Sequence, residues 1–153
     1  MTMQLESSAF SASERIPEEY TGDGSNMSPP LSWSHPPYGT QSLALICEDP
    51  DAPRGIWSHW VLYNLPAETQ EIPAELAQKG DLDDGARQGK NDFGKLGYGG
   101  PAPPPGKPHR YFFKLYAIDT ILNLAAGATR AQVLRAIEGH VLDSGELMGS
   151  YGR

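Results

Sequence analysis

The sequence has a single cysteine, Cys47, so its 153 residues cannot form an intrachain disulfide. It also lacks any stretch near the roughly 20 apolar residues that a membrane-spanning helix needs. Basic clusters are missing too: 12 Lys and Arg stand against 19 Asp and Glu, for a net charge of −7. A field of that sign repels nucleic acid and anionic membrane surfaces, which makes both poor bulk partners. There is no H-x-x-x-H or C-x-x-C pair to suggest a metal site, and no G-x-S-x-G elbow to suggest an activated serine. Met1 to Glu6 carries no apolar signal core, so a cytoplasmic protein without cofactor or metal is expected.

What the sequence has in excess is turn-forming residues, with 14 prolines and 17 glycines. They favour short strands and many turns over long helices. Hydrophobic residues make up 39% and charged residues 20%, a globular composition. A chain of this length buries roughly 68–70% of its unfolded surface, enough for one core. One domain over residues 1–153 is the expectation.

Residues 3–10 read as a first short strand. Ser42 to Glu48 and Trp60 to Leu65 are near-continuous apolar runs, which predicts strands buried on both faces. In Tyr111 to Ile118, Tyr111, Phe113 and Leu115 alternate with Phe112 and Tyr116, the pattern of a third strand. Ala128 to Glu138 reads as a helix, with Thr129 as its cap, Gln132 in the capping-box position and Gly139 as its stop. Val141 to Tyr151 reads as a closing strand. Eight glycines between Gly80 and Gly106 rule out a long regular element there. The expected fold is mainly β: a two-sheet antiparallel β-sandwich with one C-terminal helix.

Polar groups gather where these strands begin and end. Asp49 and Asp51 flank Pro50 at the end of a buried strand, where a carboxylate must be hydrogen-bonded. Either could cap loop N–H groups, and Asp51 reads more as a turn holder paired with Arg54. His59 and His109 stand at strand starts beside loops rich in proline and glycine. A lone histidine there is more often a satisfied core residue, but two suggest tunable donors. Tyr111 shares a strand face with His109, while Arg110 points the other way. Gly97-Tyr98-Gly99-Gly100-Pro101 could offer bare N–H groups to an anion. Cys47 reads as a buried small hydrophobe.

Several segments, taken in order, resemble the phosphatidylethanolamine-binding protein (PEBP) family, in particular its bacterial Raf kinase inhibitor-like branch. They are Tyr20-Thr21-Gly22-Asp23-Gly24, Ser28-Pro29-Pro30-Leu31-Ser32-Trp33, Asp49-Pro50-Asp51-Ala52-Pro53 and Trp57-Ser58-His59-Trp60. Gly89-Lys90-Asn91-Asp92-Phe93-Gly94, Gly97 to Pro101, His109-Arg110-Tyr111 and Glu138 to Leu142 complete the set. The resemblance implies a two-sheet β-sandwich with short peripheral helices and a pocket for phosphate-like anions. It places Asp49, His59, His109 and Tyr111 in that pocket, Pro53 and Trp57 in its walls, and the Gly99-Gly100 backbone in its floor. It puts Asp51 at the turn nearby and implies a cis peptide before Pro53. The chain departs from the branch at Gly22 and Ala102, where cysteines are common.

The leading expectation is a binding protein, not an enzyme, for a phosphate-like small anion or a phospholipid headgroup. A regulatory role towards a protein kinase or protease rests on the resemblance alone. A phosphoester hydrolase using Asp49 and the histidines is a third reading, weakened by the lack of a nucleophile. A homodimer is left open.

Overall fold

A computed structural model describes residues 3–153. It is mainly β, with two antiparallel sheets and one α-helix among the described residues. Strands β1 (Leu5–Glu6), β2 (Leu31–Trp33) and β5 (Glu71–Ile72) form the smaller sheet in the order β1-β2-β5. The larger sheet contains β3 (Ser42–Asp49), β4 (Trp57–Pro66), β6 (Arg87–Gln88), β7 (His109–Ile118) and β8 (Val141–Tyr151), in the order β6-β4-β3-β7-β8.

The first strand is shorter than the expected span of 3–10. Its partner β2 is only three residues long, between Pro30 and the segment leading to Pro36 and Pro37. Proline lacks the N–H that would extend the ladder. Ile72 of β5 pairs with Leu31 of β2.

β3 lies at the centre of the large sheet, and all eight of its residues are buried. Leu43, Leu45 and Cys47 pack inward with Trp60, Leu62, Phe113 and Leu115 against the small sheet. Ala44 and Ile46 face the other way, with Val61 and Tyr63, under the helix. Burial on both faces explains why β3 and β4 read as continuous apolar runs.

Helix α1 (Arg130–Ile137) places Val133 and Ile137 on that second cluster. Thr129 Oγ1 accepts from the Gln132 N–H, and Gln132 Oε1 accepts from the Thr129 N–H, closing the expected capping box. Gly139 follows with φ of 82°, the left-handed conformation of a helix stop. β8 is an edge strand, but the N-terminal segment shields it: Ser13 and Ile16 donate to the Met148 and Ser150 carbonyls. A short 3₁₀ turn spans Glu18–Tyr20. No helix among the described residues is long and apolar enough to cross a membrane.

Candidate functional site

The antiparallel order β4-β3-β7 brings three strand ends to one pole of the large sheet: the end of β3 at Asp49, the start of β4 at Trp57 and the start of β7 at His109. A cavity of about 160 Å³ opens there. Asp49, His59, His109 and Tyr111 supply its polar lining, and Pro53, Trp57, Phe93, Pro103 and Pro104 its apolar walls.

A β-bulge brings His59 into this cavity. Cys47 pairs with Trp60, but the next β3 residue, Glu48, pairs with Ser58, so His59 is one residue too many. A bulge re-aims the side chains on either side of it. Trp60 can therefore stay in the inter-sheet core while the adjacent His59 lines the cavity.

Both imidazoles are fixed through Nδ1. His59 Nδ1 donates to the Gly99 carbonyl at 2.6 Å; a carbonyl can only accept, so that nitrogen carries the proton. His109 Nδ1 donates to Asp49 Oδ2 at 2.7 Å. Asp49 Oδ1 meanwhile accepts from the Asp51 N–H at 2.7 Å, so one carboxylate holds both the turn and the ring. Each histidine is left with Nε2 as its remaining polar atom. Burial pushes the His59 pKa down, opposed by its bond to Gly99 and the charge of Asp49, which leaves the ring neutral near pH 7.

Tyr111 is buried, and its hydroxyl has no hydrogen-bond partner. Burial, reinforced by the nearby Asp49 carboxylate, pushes its pKa well up, so it remains a protonated donor. A buried hydroxyl left unpaired costs about 1–3 kcal/mol. Its ring meets His59 edge to face, with centroids 5.2 Å apart.

Three expectations need correction. Gly99 and Gly100 do not offer bare N–H groups to the cavity. The Gly99 N–H donates to the His59 carbonyl, and the Gly100 N–H to Asn26 Oδ1. The two glycines anchor His59 from behind instead of lining the cavity floor. Asp51 also lies outside the cavity, in an adjoining groove. Its partner is Arg110 rather than Arg54: Arg110 donates twice from its guanidinium and once from its backbone N–H, each at 2.9 Å. These bonds hold the Asp51 carboxyl down at about 2. The peptide before Pro53 is trans, as are the others among the described residues, the isomer favoured by about 0.5–1 kcal/mol before proline.

Residue-level reading missed the loop that carries Phe93. Asn91 Oδ1 accepts from the Phe93 and Lys95 N–H groups, and Asn91 Nδ2 donates to the Gly97 carbonyl. Asp92 docks the loop on β4 by accepting from the Ser58 N–H at 2.6 Å. The Phe93 ring then meets His59 and Trp57 edge to face. The available signal was Asn-x-Phe-Gly, an Asx turn followed by a glycine with φ of 81°. Asn26 was also missed; it is left-handed (φ 58°) and holds Gly100.

Larger hollows of about 530 and 580 Å³ lie beside β8 and along β2 and β5. Neither contains a histidine or a buried unpaired donor.

Known proteins share this architecture across nearly the whole chain. A UPF0098 protein of Methanothermobacter thermautotrophicus is 52% identical over 151 residues, covering 99% of both chains. The crystal structure of a PEBP homologue from Chlamydia trachomatis is 41% identical with a TM-score of 0.90, covering 99% of this chain and 98% of the other. E. coli YbcL, described as a new member of the mammalian PEBP family, is 34% identical with a TM-score of 0.91, covering 100% and 99%. The family described as phosphatidylethanolamine-binding protein matches residues 6–152. On the strength of that match and of these structural neighbours, the chain belongs to the phosphatidylethanolamine-binding protein family.

Proposed function

We propose that the cavity at the β3-β4-β7 pole binds a phosphate-like anion, and that the protein acts by recognition rather than by catalysis. The observation that carries this reading is the Tyr111 hydroxyl, buried and unpartnered beside two histidines whose Nδ1 atoms are already engaged. A tetrahedral oxyanion would supply the acceptor that Tyr111 lacks and engage both Nε2 atoms. A cavity of about 160 Å³ suits a small group of this kind, being smaller than the sites that enclose drug-sized ligands. The family description supports the same reading, since it names a phospholipid carrying a phosphate.

The residues lining the cavity include no serine, threonine or cysteine that could attack a bound ester. Ser58 is the β4 residue next to His59, but it does not line the cavity. The Asp49–His109 pair therefore serves to orient the ring: the carboxylate holds the Nδ1–H so that Nε2 addresses the ligand, donating to it when the ring carries its second proton. With a net charge of −7 on the chain, attraction must be local, and uptake of a proton by His59 on binding would provide it.

The test is calorimetric titration with sulfate, phosphoethanolamine and O-phosphotyrosine. Saturable binding that His109→Ala abolishes, and that the rim variant Asp51→Asn retains, supports the proposal. Binding of none of these anions, or equal binding by His109→Ala, overturns it.

A further inference from the structure

The cavity at the β3-β4-β7 pole holds three polar side chains that are more than nine-tenths buried and still have an atom to offer. His59 is 3% exposed, His109 8% and Tyr111 1%. They stand close together, with the Tyr111 ring centroid 5.2 Å from that of His59 and 6.4 Å from that of His109. Asp49 also lines the cavity, but both of its oxygens are engaged, one by the Asp51 N–H and the other by His109 Nδ1. The inner anchors are therefore two Nε2 atoms and one hydroxyl. A terminal phosphate has three free oxygens to set against them, and its ester oxygen can face the mouth. A phosphodiester has two free oxygens and two ester arms. In the same seat one anchor would meet an ester oxygen, and a second arm would have to fit within about 160 Å³.

The proton count points the same way. Because His59 Nδ1 is tied to the Gly99 carbonyl, the neutral ring turns a lone pair, not an N–H, outward from Nε2. A phosphate oxygen can meet that lone pair only with a proton between them. The ionisable groups around the ring are Asp49 on β3, Asp92 on the Phe93 loop, and Tyr111 and His109 on β7. The two carboxylates favour a proton on His59, and Tyr111 keeps its own. A phosphomonoester can bring the missing proton with it, since its second ionisation lies at about pH 6. A diester has no such proton, and its single negative charge draws one less strongly from solvent.

We propose that the cavity is a seat for a terminal phosphate, with His59 as the residue that sets the preference. The ligand class is then a phosphomonoester and not a phosphodiester such as the phosphate of intact phosphatidylethanolamine. A site built to hydrogen-bond a given group rejects the analogue that leaves its buried polar atoms unpaired, and the diester is that analogue here. The inference rests on the oxyanion reading of the cavity and narrows it.

The experiment compares methyl phosphate, dimethyl phosphate and sulfate by calorimetry on the full chain, with the histidine ring signals followed by NMR. Methyl phosphate should bind about tenfold or more tighter than dimethyl phosphate, the worth of one charge-assisted hydrogen bond. At pH 6, in buffers of different ionisation enthalpy, methyl phosphate should take up about half a proton less than sulfate, because about half of the ester already carries the proton there. His59→Gln, checked for folding by its thermal transition, can donate an N–H without taking up a proton, so it should narrow the ester preference and erase the difference in proton uptake. Equal affinity for the two esters, with His59 and His109 signals moving in both, overturns the terminal-phosphate seat and leaves the oxyanion pocket standing. Equal proton uptake with methyl phosphate and sulfate, or a folded His59→Gln that keeps the full preference, removes His59 from its assigned role. If none of the three anions moves either histidine, the oxyanion reading falls and the narrower one falls with it.

Discussion

Replacing Tyr111 with phenylalanine should change stability and binding in opposite directions. The hydroxyl is buried and makes no hydrogen bond, so the folded protein bears its desolvation cost without a compensating partner. That cost is about 1–3 kcal/mol for a buried neutral donor, and deleting one oxygen loses little packing. Tyr111→Phe should therefore stabilise the ligand-free protein by about 1 kcal/mol, which raises Tm by about 2–4 °C for a chain of this size. In the bound state the same hydroxyl would donate to an anion, a bond worth about 1.5–3 kcal/mol. Its loss should weaken sulfate binding roughly 10- to 100-fold. Thermal unfolding with and without sulfate, together with calorimetry, reads both effects. A variant less stable than the parent with unchanged sulfate affinity would refute the reasoning, because it would make Tyr111 an ordinary packing residue. The result would also show stability given up for function, as at other sites built around unmet hydrogen bonds.

Other perturbations test other parts of the structure. Burial lowers the His59 pKa below its ordinary 6.5, so the free protein holds fewer protons there than the unfolded chain does. Its contribution to stability is full above pH 6.5 and diminishes as pH falls below that value. Sulfate binding should run the other way, tightening as pH drops from 8 to 6, and calorimetry at pH 7 in buffers of different ionisation enthalpy should register proton uptake; affinity flat across that range would exclude a charged His59. Gly89→Ala would place a Cβ 2.0 Å from the Ala128 carbonyl and 3.0 Å from the Val61 side chain, so it should cost about 3 kcal/mol or more in denaturant unfolding, and a loss under 1 kcal/mol would contradict that packing. A Cβ on Gly22 would lie 3.2 Å from that of Ala102, a few tenths of an ångström shorter than the roughly 3.5–4.5 Å usual across a disulfide, so a small shift of either segment suffices. The pair Gly22→Cys with Ala102→Cys should therefore close under oxidation and stabilise by about 3–4 kcal/mol through a loop of about 80 residues; a free-thiol titration finding two extra thiols after oxidation would show that the two segments do not meet.

The long strands were legible because their burial is two-sided and therefore continuous in sequence. Ser42 to Glu48 carries that signal without help from neighbours, as does the capping box of α1, which is local chemistry between Thr129 and Gln132. The small sheet was much harder to read. Its strands are two or three residues long, and they are defined by pairing across the chain, Leu5 with Trp33 and Leu31 with Ile72. No local periodicity can report a two-residue strand, because its ladder exists only once the partner has arrived.

The site divides along the same physical line. Asp49, His59, His109 and Tyr111 could be selected from residue type and position at strand ends, and the cavity brings them together. Their hydrogen-bond partners could not be read in that way. A glycine-rich loop looks like a set of free donors, yet here its N–H groups are taken by the His59 carbonyl and Asn26. Close packing, not openness, explains those glycines: at Gly99 a side chain would strike the Phe93 ring, and at Gly100 the Tyr20 carbonyl. The bulge makes the same point for His59. Strict alternation cannot place adjacent His59 and Trp60 on one side of β4, and only the extra residue opposite Cys47 and Glu48 does so. Without that bulge, either the imidazole would turn away from Tyr111 or the indole would leave the core, so the irregular step in β4 is what allows a stable sandwich and an open polar cavity to share one strand.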